Sequence, residues 1–363
     1  MLGASCFIHR ACGGHAVRVI GMNAGTSFYA TQLRRELNLR NRRYARGRAH
    51  VESYGSSPVT VYAPEGDRHG NFLDASYSAI VSRPEWMRRF NKIHAQAARS
   101  LPKAERRWRE LDSSMSSDAL LMNVFCAPGV THSHLLCNAL GVETDAASQF
   151  GWKARVPLAN GRFDRTEVDM RLGSLLVEAK LTEADFQTRE AAIVESYRDF
   201  DAVFDRELLP RIELPPKRKK EASEFPEDYS QEFESIIDSS EGLRNPQVVA
   251  QSLLPAIAIQ RVLPARSPAY SSYQLIRNTL AAYAEKCSFC VIHDGRRPDL
   301  REQWFQIVAA VKSADLRVRL KVLTWQELAE LLPDELQAFL DSKYGIVPPG
   351  RIASPIADVI DAS

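Results

Sequence analysis

The sequence predicts a mixed α/β fold, a central sheet flanked by helices, on three observations. Two short alternating runs meet at Gly173-Ser174, a Gly-x pair suited to a tight hairpin turn. After Pro268 the pattern becomes helix, strand (Ser288 to His293), helix (Asp299 to Lys312) and strand (Arg317 to Leu323), a crossover that implies parallel strands. The chain of 363 residues, 45% of them hydrophobic, is long enough to bury a full core.

Taken in order, residues 1–21 carry arginine and no acid but lack the apolar stretch of a secretory signal. A transit-like leader and a start placed upstream of true initiation at Met22 both leave them outside the fold. Residues 22–82 are rich in Gly, Ser and Arg with weak periodicity, so residues 1–82 read as a poorly structured N-terminal arm. A folded domain is expected over 83–346. Helix begins near Pro84, with Ser82 as its cap, and continues with breaks through Glu110; a second helix runs from Ser116 to about Phe125, where Cys126-Ala-Pro-Gly stops it. Strand follows at Trp152 to Leu158, then the hairpin, then a helix over Thr182 to Leu209. A charged linker insertion is expected at about 210–250, helices from Trp325 to Tyr344, and a tail over 347–363.

The hairpin carries the chemistry. With Gly173 and Ser174 as the loop, Asp169 lies opposite Glu178 and Glu167 opposite Lys180, roughly 5 Å apart at Cβ. Val168, Met170, Leu172, Leu175, Val177 and Ala179 fall on the other face. Acids are depleted in strands and repel when they face one another, so three acids and a lysine on one face imply a cation between them. Hard carboxylate oxygens are what Mg²⁺ accepts, with Mn²⁺ as the alternative. Asp169 and Glu178 are the expected metal ligands, with Glu167 or Glu143 completing the shell. Lys180 is expected to orient water or stabilise developing negative charge.

Asp169, eight intervening residues and then Glu178-Ala179-Lys180 resemble the D-x(n)-(D/E)-x-K core of the PD-(D/E)XK nuclease superfamily, with Val168 standing where that pattern often has proline. The words SSDALLMNVFC, TEVDM, VEAKLTEADF, YQLIRN and LTWQELAELLP to FLDSKYGI are similar to a family of bacterial restriction-endonuclease-like proteins, over roughly residues 50 to 346. The resemblance implies a restriction-endonuclease-like core with an N-terminal extension and Mg²⁺-dependent hydrolysis of DNA phosphodiesters, with restriction and DNA repair both open as its setting. It also implies a polar residue from the Tyr273 helix beside the site, for which Gln274 and Arg277 are the candidates. Two alternatives stay open: a non-catalytic nucleic-acid-binding protein in which Asp169 and Lys180 form a structural ion pair, and an RNA-directed nuclease.

Charge is unevenly placed beneath a net +2: residues 1–50 hold nine arginines against the single acid Glu36, and Arg83 to Arg109 is again basic. Arg88, Arg89, Arg106 and Arg107 are the expected phosphate contacts, with DNA as partner. A homodimer is open. No apolar run reaches the roughly 18 residues of a membrane span. The six cysteines are too few and too scattered for a disulfide scaffold, so a reducing, cytoplasmic setting is expected. Cys287-x-x-Cys290-x-x-His293 has zinc-like spacing, but strand alternation sends Cys287 and Cys290 to opposite faces.

Overall fold

The computed structural model describes residues 27–53, 57–93, 109–215 and 266–356. The chain divides into two compact units, residues 1–212 with 269–363, and residues 213–268. The second holds most of the expected linker, and nearly all of it lies outside the described residues. The following concerns the first unit.

Its main elements, in chain order, are helices α1 (Phe28–Tyr44), α2 (Asp74–Val81), α3 (Pro84–Phe90), α4 (Ser117–Phe125) and α5 (His134–Leu140), strands β1 (Ser148–Lys153), β2 (Glu167–Leu172) and β3 (Leu175–Ala179), then α6 (Tyr273–Ala284), β4 (Ser288–His293), α7 (Pro298–Ala310), β5 (Leu320–Thr324), α8 (Trp325–Ala329) and α9 (Asp334–Tyr344). The fold is mixed α/β. Its five-stranded sheet has the order β5-β4-β3-β2-β1, antiparallel from β1 to β3 and parallel from β3 to β5.

The hairpin forms in the register its sequence predicts: Leu172 pairs with Leu175, Arg171 with Leu176 and Met170 with Val177. Gly173 takes φ +55°, which the first central position of this turn requires and a Cβ opposes. Every residue of β3 is buried, as expected of a central strand covered on both faces.

Each face packs its own layer. Met170, Leu172, Leu175, Val177, Ala179, Cys290 and Ile292 join Leu120, Leu121 and Val124 of α4, Trp325 of α8 and Leu336 and Leu340 of α9. Leu176, Phe289 and Val291 join Leu275, Ile276 and Leu280 of α6 and Leu300, Trp304 and Ile307 of α7. Val168, expected with Met170, instead joins the second layer beside Ala154 and Val156. Cys287 and Cys290 fall in different layers, as alternation requires.

Three further expectations are corrected. Within the stretch read as a poorly structured arm, residues 28–44 are a helix and 74–81 another. Leu33 and Leu37, one turn apart, anchor α1 in the α9 layer; the surrounding arginines mask this two-residue apolar signal. Thr182 to Leu209 is largely irregular, with single helical turns at Ala191–Val194 and Phe200–Val203. Arg297 explains its start. The fully buried guanidinium donates to the carbonyls of Leu181 (3.4 Å), Glu183 (2.7 Å) and Ala184 (3.0 Å), acceptors that a helix would use for its own ladder. Gln187 then takes a left-handed φ of +63°. At α3 the N-cap is Arg83, without a side-chain cap bond, while the Ser82 hydroxyl donates back to Ala79 O.

Asp294, fully buried after β4, accepts from Arg296 and from Gln326 of α8 and so ties the end of β4 to α8. Burial works against its charge, but the Arg296 bonds outweigh burial and depress the carboxyl below the ordinary aspartate range. A depressed folded value means stability that is present above the unfolded value of about 3.9 and lost as pH falls through the folded one. Asp294→Asn should therefore flatten the acid limb of a denaturant-measured stability profile; a limb parallel to the parent's contradicts this account.

Candidate active site

The backbone of Lys180 is held from both sides where β3 ends. Its N–H donates to Ile292 O on β4 (2.8 Å), and its carbonyl accepts from the Trp325 indole (3.0 Å). Lys180 therefore continues the strand, and its side chain lies with that of Glu178: Nζ donates to Glu178 Oε1 at 2.8 Å. Asn278 of α6 donates to the other oxygen, Oε2, at 2.8 Å. Glu178 is 1% exposed and Lys180 5%. This face of the hairpin is therefore enclosed and not open to solvent, since α6 lies over these residues. Burial works against the charge of Lys180, yet Glu178, Glu183 and Asp169 together outweigh it and raise the amine above the ordinary lysine range. The ammonium form is thus held in place.

Asp169 is level with Glu178 on β2. Its Oδ2 accepts from the Ala179 N–H (2.8 Å), which fixes the carboxylate against β3. Burial, reinforced by the charges of Glu178 and Asp118, holds its carboxyl well above the ordinary carboxylate range. Acids from two other elements thus act on Asp169. Asp118, in the first turn of α4, is raised to about 6 by burial even with Arg89 opposing that rise.

Arg89 of α3 reaches this cluster over β1. It donates to Asp118 and, at 3.1 Å, to Glu167 Oε2. Gly151, at φ +64°, makes room: a Cβ there would stand 3.3 Å from Arg89 Nη1. Lys92 also donates to Glu167 Oε2 (2.6 Å), and these cations hold Glu167 below the usual glutamate range against the effect of burial.

An open cleft of about 90 Å³ leads to Glu178 from outside, lined by Thr166, Glu167, Gln187, Arg189, Tyr273, Gln274, Arg277 and Asn278. Gln274 Oε1 is buried there without a hydrogen-bond partner. Arg277 is 2% exposed and bonded to Asp164, Thr166 O and Asn278, so its donors serve the wall of the cleft. Arg189 is exposed at the mouth, with its guanidinium 5.4 Å from the Tyr273 ring centroid.

The remaining nominated residues scatter. Glu143 is exposed in the loop after α5, on the side where Ala146 packs against the turn glycine Gly173. Leu172 at that end stands three residues, about 10 Å, from Asp169, so Glu143 is not brought to the acids, contrary to expectation. Arg89 is buried, with both Nη atoms in ion pairs and Nε enclosed, so it does not present itself to a phosphate, a second correction. Arg88 is exposed; Arg106 and Arg107 lie outside the described residues. Glu183 accepts from Ser117 Oγ (2.5 Å) and from Leu181 N (2.7 Å), a local brace. Asp118, Asn278 and Arg189 were missed by sequence reasoning. Asp118 reads as an ordinary first-turn acid, and only Gly151 inside a strand pattern hinted at a close approach.

Among the described residues no three His, Cys, Asp or Glu side chains are arranged to hold an ion. Mg²⁺, however, needs only one or two carboxylates when water and phosphate fill the remaining positions, and the crowded acids are hard oxygen donors of that kind. The donor chemistry fits. No helix among the described residues is long and apolar enough to cross a membrane.

A mixed sheet with acids and a lysine together on adjacent strands, beneath a polar cleft, is consistent with a restriction-endonuclease-like core. The family described as "Restriction Endonuclease associating with ARP" matches residues 38–345, and the chain belongs to this restriction-endonuclease family. No curated protein and no solved structure matches the chain significantly.

Proposed function

We propose that this chain is a PD-(D/E)XK-type, metal-dependent endonuclease that hydrolyses DNA phosphodiester bonds. The observation that carries the reading is the crowding of Asp169 and Glu178 around a lysine held charged at the end of a polar cleft, with Asp118 acting on Asp169 from α4. Carboxylates crowded in a buried place cost stability, and sites that keep such a cost are enriched for function. Asp169 and Glu178, with Asp118 nearby, would hold Mg²⁺ or Mn²⁺. The chemistry a divalent ion supplies when bound is Lewis-acid polarisation of a phosphoryl oxygen and acidification of water.

The chain's own groups do the rest. Lys180, held as the ammonium, donates hydrogen bonds to water or to charge developing on the phosphate. Gln274 Oε1, unpartnered in the cleft wall, accepts a hydrogen bond from the incoming water or substrate. Arg189 at the mouth attracts the phosphate. The family description names an association with ARP, which we extend to this chain as part of the proposal.

One observation favours a second reading. The Glu178–Lys180 pair is almost fully buried, as a structural ion pair would be, which suits a non-catalytic nucleic-acid-binding protein retaining the fold. The test is incubation of the chain with plasmid, linear and single-stranded DNA and with RNA, with Mg²⁺, with Mn²⁺ and with chelator. Cleavage of DNA that chelator abolishes is the expected result. Intact DNA in both metals removes the catalytic reading, and cleavage confined to RNA moves the substrate.

A further inference from the structure

A strongly positive surface of the described chain is α1, on the opposite side of the sheet from the cleft-covering α6. Its buried face is formed by Ala30, Leu33, Leu37, Arg40 and Asn41. At 100° per residue the opposite face is Arg35 and Arg42, seven residues apart, and four residues on Arg46 continues the same line just past the helix end. All three arginines are exposed, as are Arg34, Arg43 and Arg48 around them.

The only acid of the helix does not offset this charge outwardly. Glu36 Oε1 accepts from Arg40 (3.1 Å) and from Arg296 (2.7 Å), so its charge is neutralised within the fold. Arg42 meets one carboxylate, Glu52 at 3.2 Å, with both side chains about half exposed, a contact of little strength in water. Arg35 and Arg46 have no carboxylate partner among the described residues. A helix with this composition gains nothing for folding from its outer face; like charges set one turn or two apart repel.

The helix is also tied to the site. Arg34 Nη2 donates to Thr182 O (3.1 Å), two residues past Lys180, and Ser27, which precedes the helix, donates to Asp299 Oδ2 (2.7 Å) at the start of α7. The arginine line therefore starts beside the segment that leaves the acids and runs away from it. Arg35 and Arg42 are about 10 Å apart along the axis, close to three base-pair steps of a duplex.

We propose that the outward face of α1, through Arg35, Arg42 and Arg46, is a track for the phosphate backbone of double-stranded DNA lying outside the cleft. The choice of DNA as occupant rests on the nuclease reading; the charge argument for a polyanion does not. Arg89, which sequence placed at the phosphate, is enclosed in ion pairs, and α1 supplies the exposed cations in its stead.

The test is binding of a short fluorescein-labelled duplex by the full chain in chelator, measured by anisotropy across a salt series. The variant carries Arg35→Ala, Arg42→Ala and Arg46→Ala together. Each phosphate contact contributes about 0.9 to the slope of log K against log salt, so the slope should fall by roughly 2 to 3 and affinity at low salt by tenfold or more. The corresponding triple Arg→Lys variant should keep most of the slope, and circular dichroism on both shows whether the helix is intact. Unchanged slope and affinity in the alanine variant overturn the proposal and leave the face to an acidic protein partner, and so does a parent chain that does not bind the duplex. Chelator separates this from catalysis. Cleavage that persists with an unchanged slope defeats the track alone, whereas salt-dependent binding without cleavage under any metal defeats the nuclease reading alone.

Discussion

Asp169→Asn is expected to lose metal-dependent cleavage while unfolding no more easily than the parent. The two halves of this outcome have one cause. Burial and the neighbouring Glu178 and Asp118 penalise the ionised carboxylate, and asparagine removes that charge while its Oδ1 still accepts from the Ala179 N–H. Relief of such a penalty adds about 0.5 to 2 kcal/mol in comparable stabilising substitutions. The carboxylate's role in holding a cation is lost at the same time, and a hundredfold or greater fall in rate corresponds to about 2.7 kcal/mol of transition-state stabilisation. The measurement is paired: cleavage rate in Mg²⁺ and the urea midpoint without metal. A structural ion-pair role for Asp169 predicts the reverse, a less stable protein with no rate to lose. Lys180→Ala is less discriminating, since it leaves Glu178 buried without its cation and destabilises on either reading.

Arg297→Ala is expected to cost roughly 3 to 5 kcal/mol of folding stability, the range for removing one partner of a buried, hydrogen-bonded ion pair. The side chain is fully buried, paired with Asp299 at 2.9 Å, and serves the carbonyls of Leu181, Glu183 and Ala184. Truncation would leave these acceptors without donors in the segment directly after Lys180. Urea unfolding at neutral pH measures the loss. Arg297→Lys should recover only part of it, because an ammonium lacks the guanidinium fork that spans several acceptors at once. A loss under about 1 kcal/mol for the alanine variant would show that the 181–184 segment holds its path without this brace.

These two residues mark the division between what was legible in the sequence and what was not. Asp169 was legible because β-structure is local in its periodicity: Gly173-Ser174 sets the turn, and the turn sets which side chains stand level across β2 and β3. The parallel strands β4 and β5 were legible for a similar reason, since a strand-helix-strand pattern leaves one connection. Arg297 was not legible. Its carbonyl partners are more than 110 residues away in sequence, and the stretch after Thr182 reads as a helix that those long-range bonds prevent.

The same holds at the site. By itself the sequence determined the hairpin and its register, and with them the common face of Asp169, Glu178 and Lys180. Only the tertiary structure decided that α6 covers that face through Asn278, that Asp118 joins the acids from α4, that Arg89 is drawn inward past Gly151, and that α1 turns its arginines outward. The physical reason is reach. A strand's alternation is set within a few residues by backbone geometry, whereas the burial and charge of a side chain depend on which distant elements pack against it, and no local pattern encodes that.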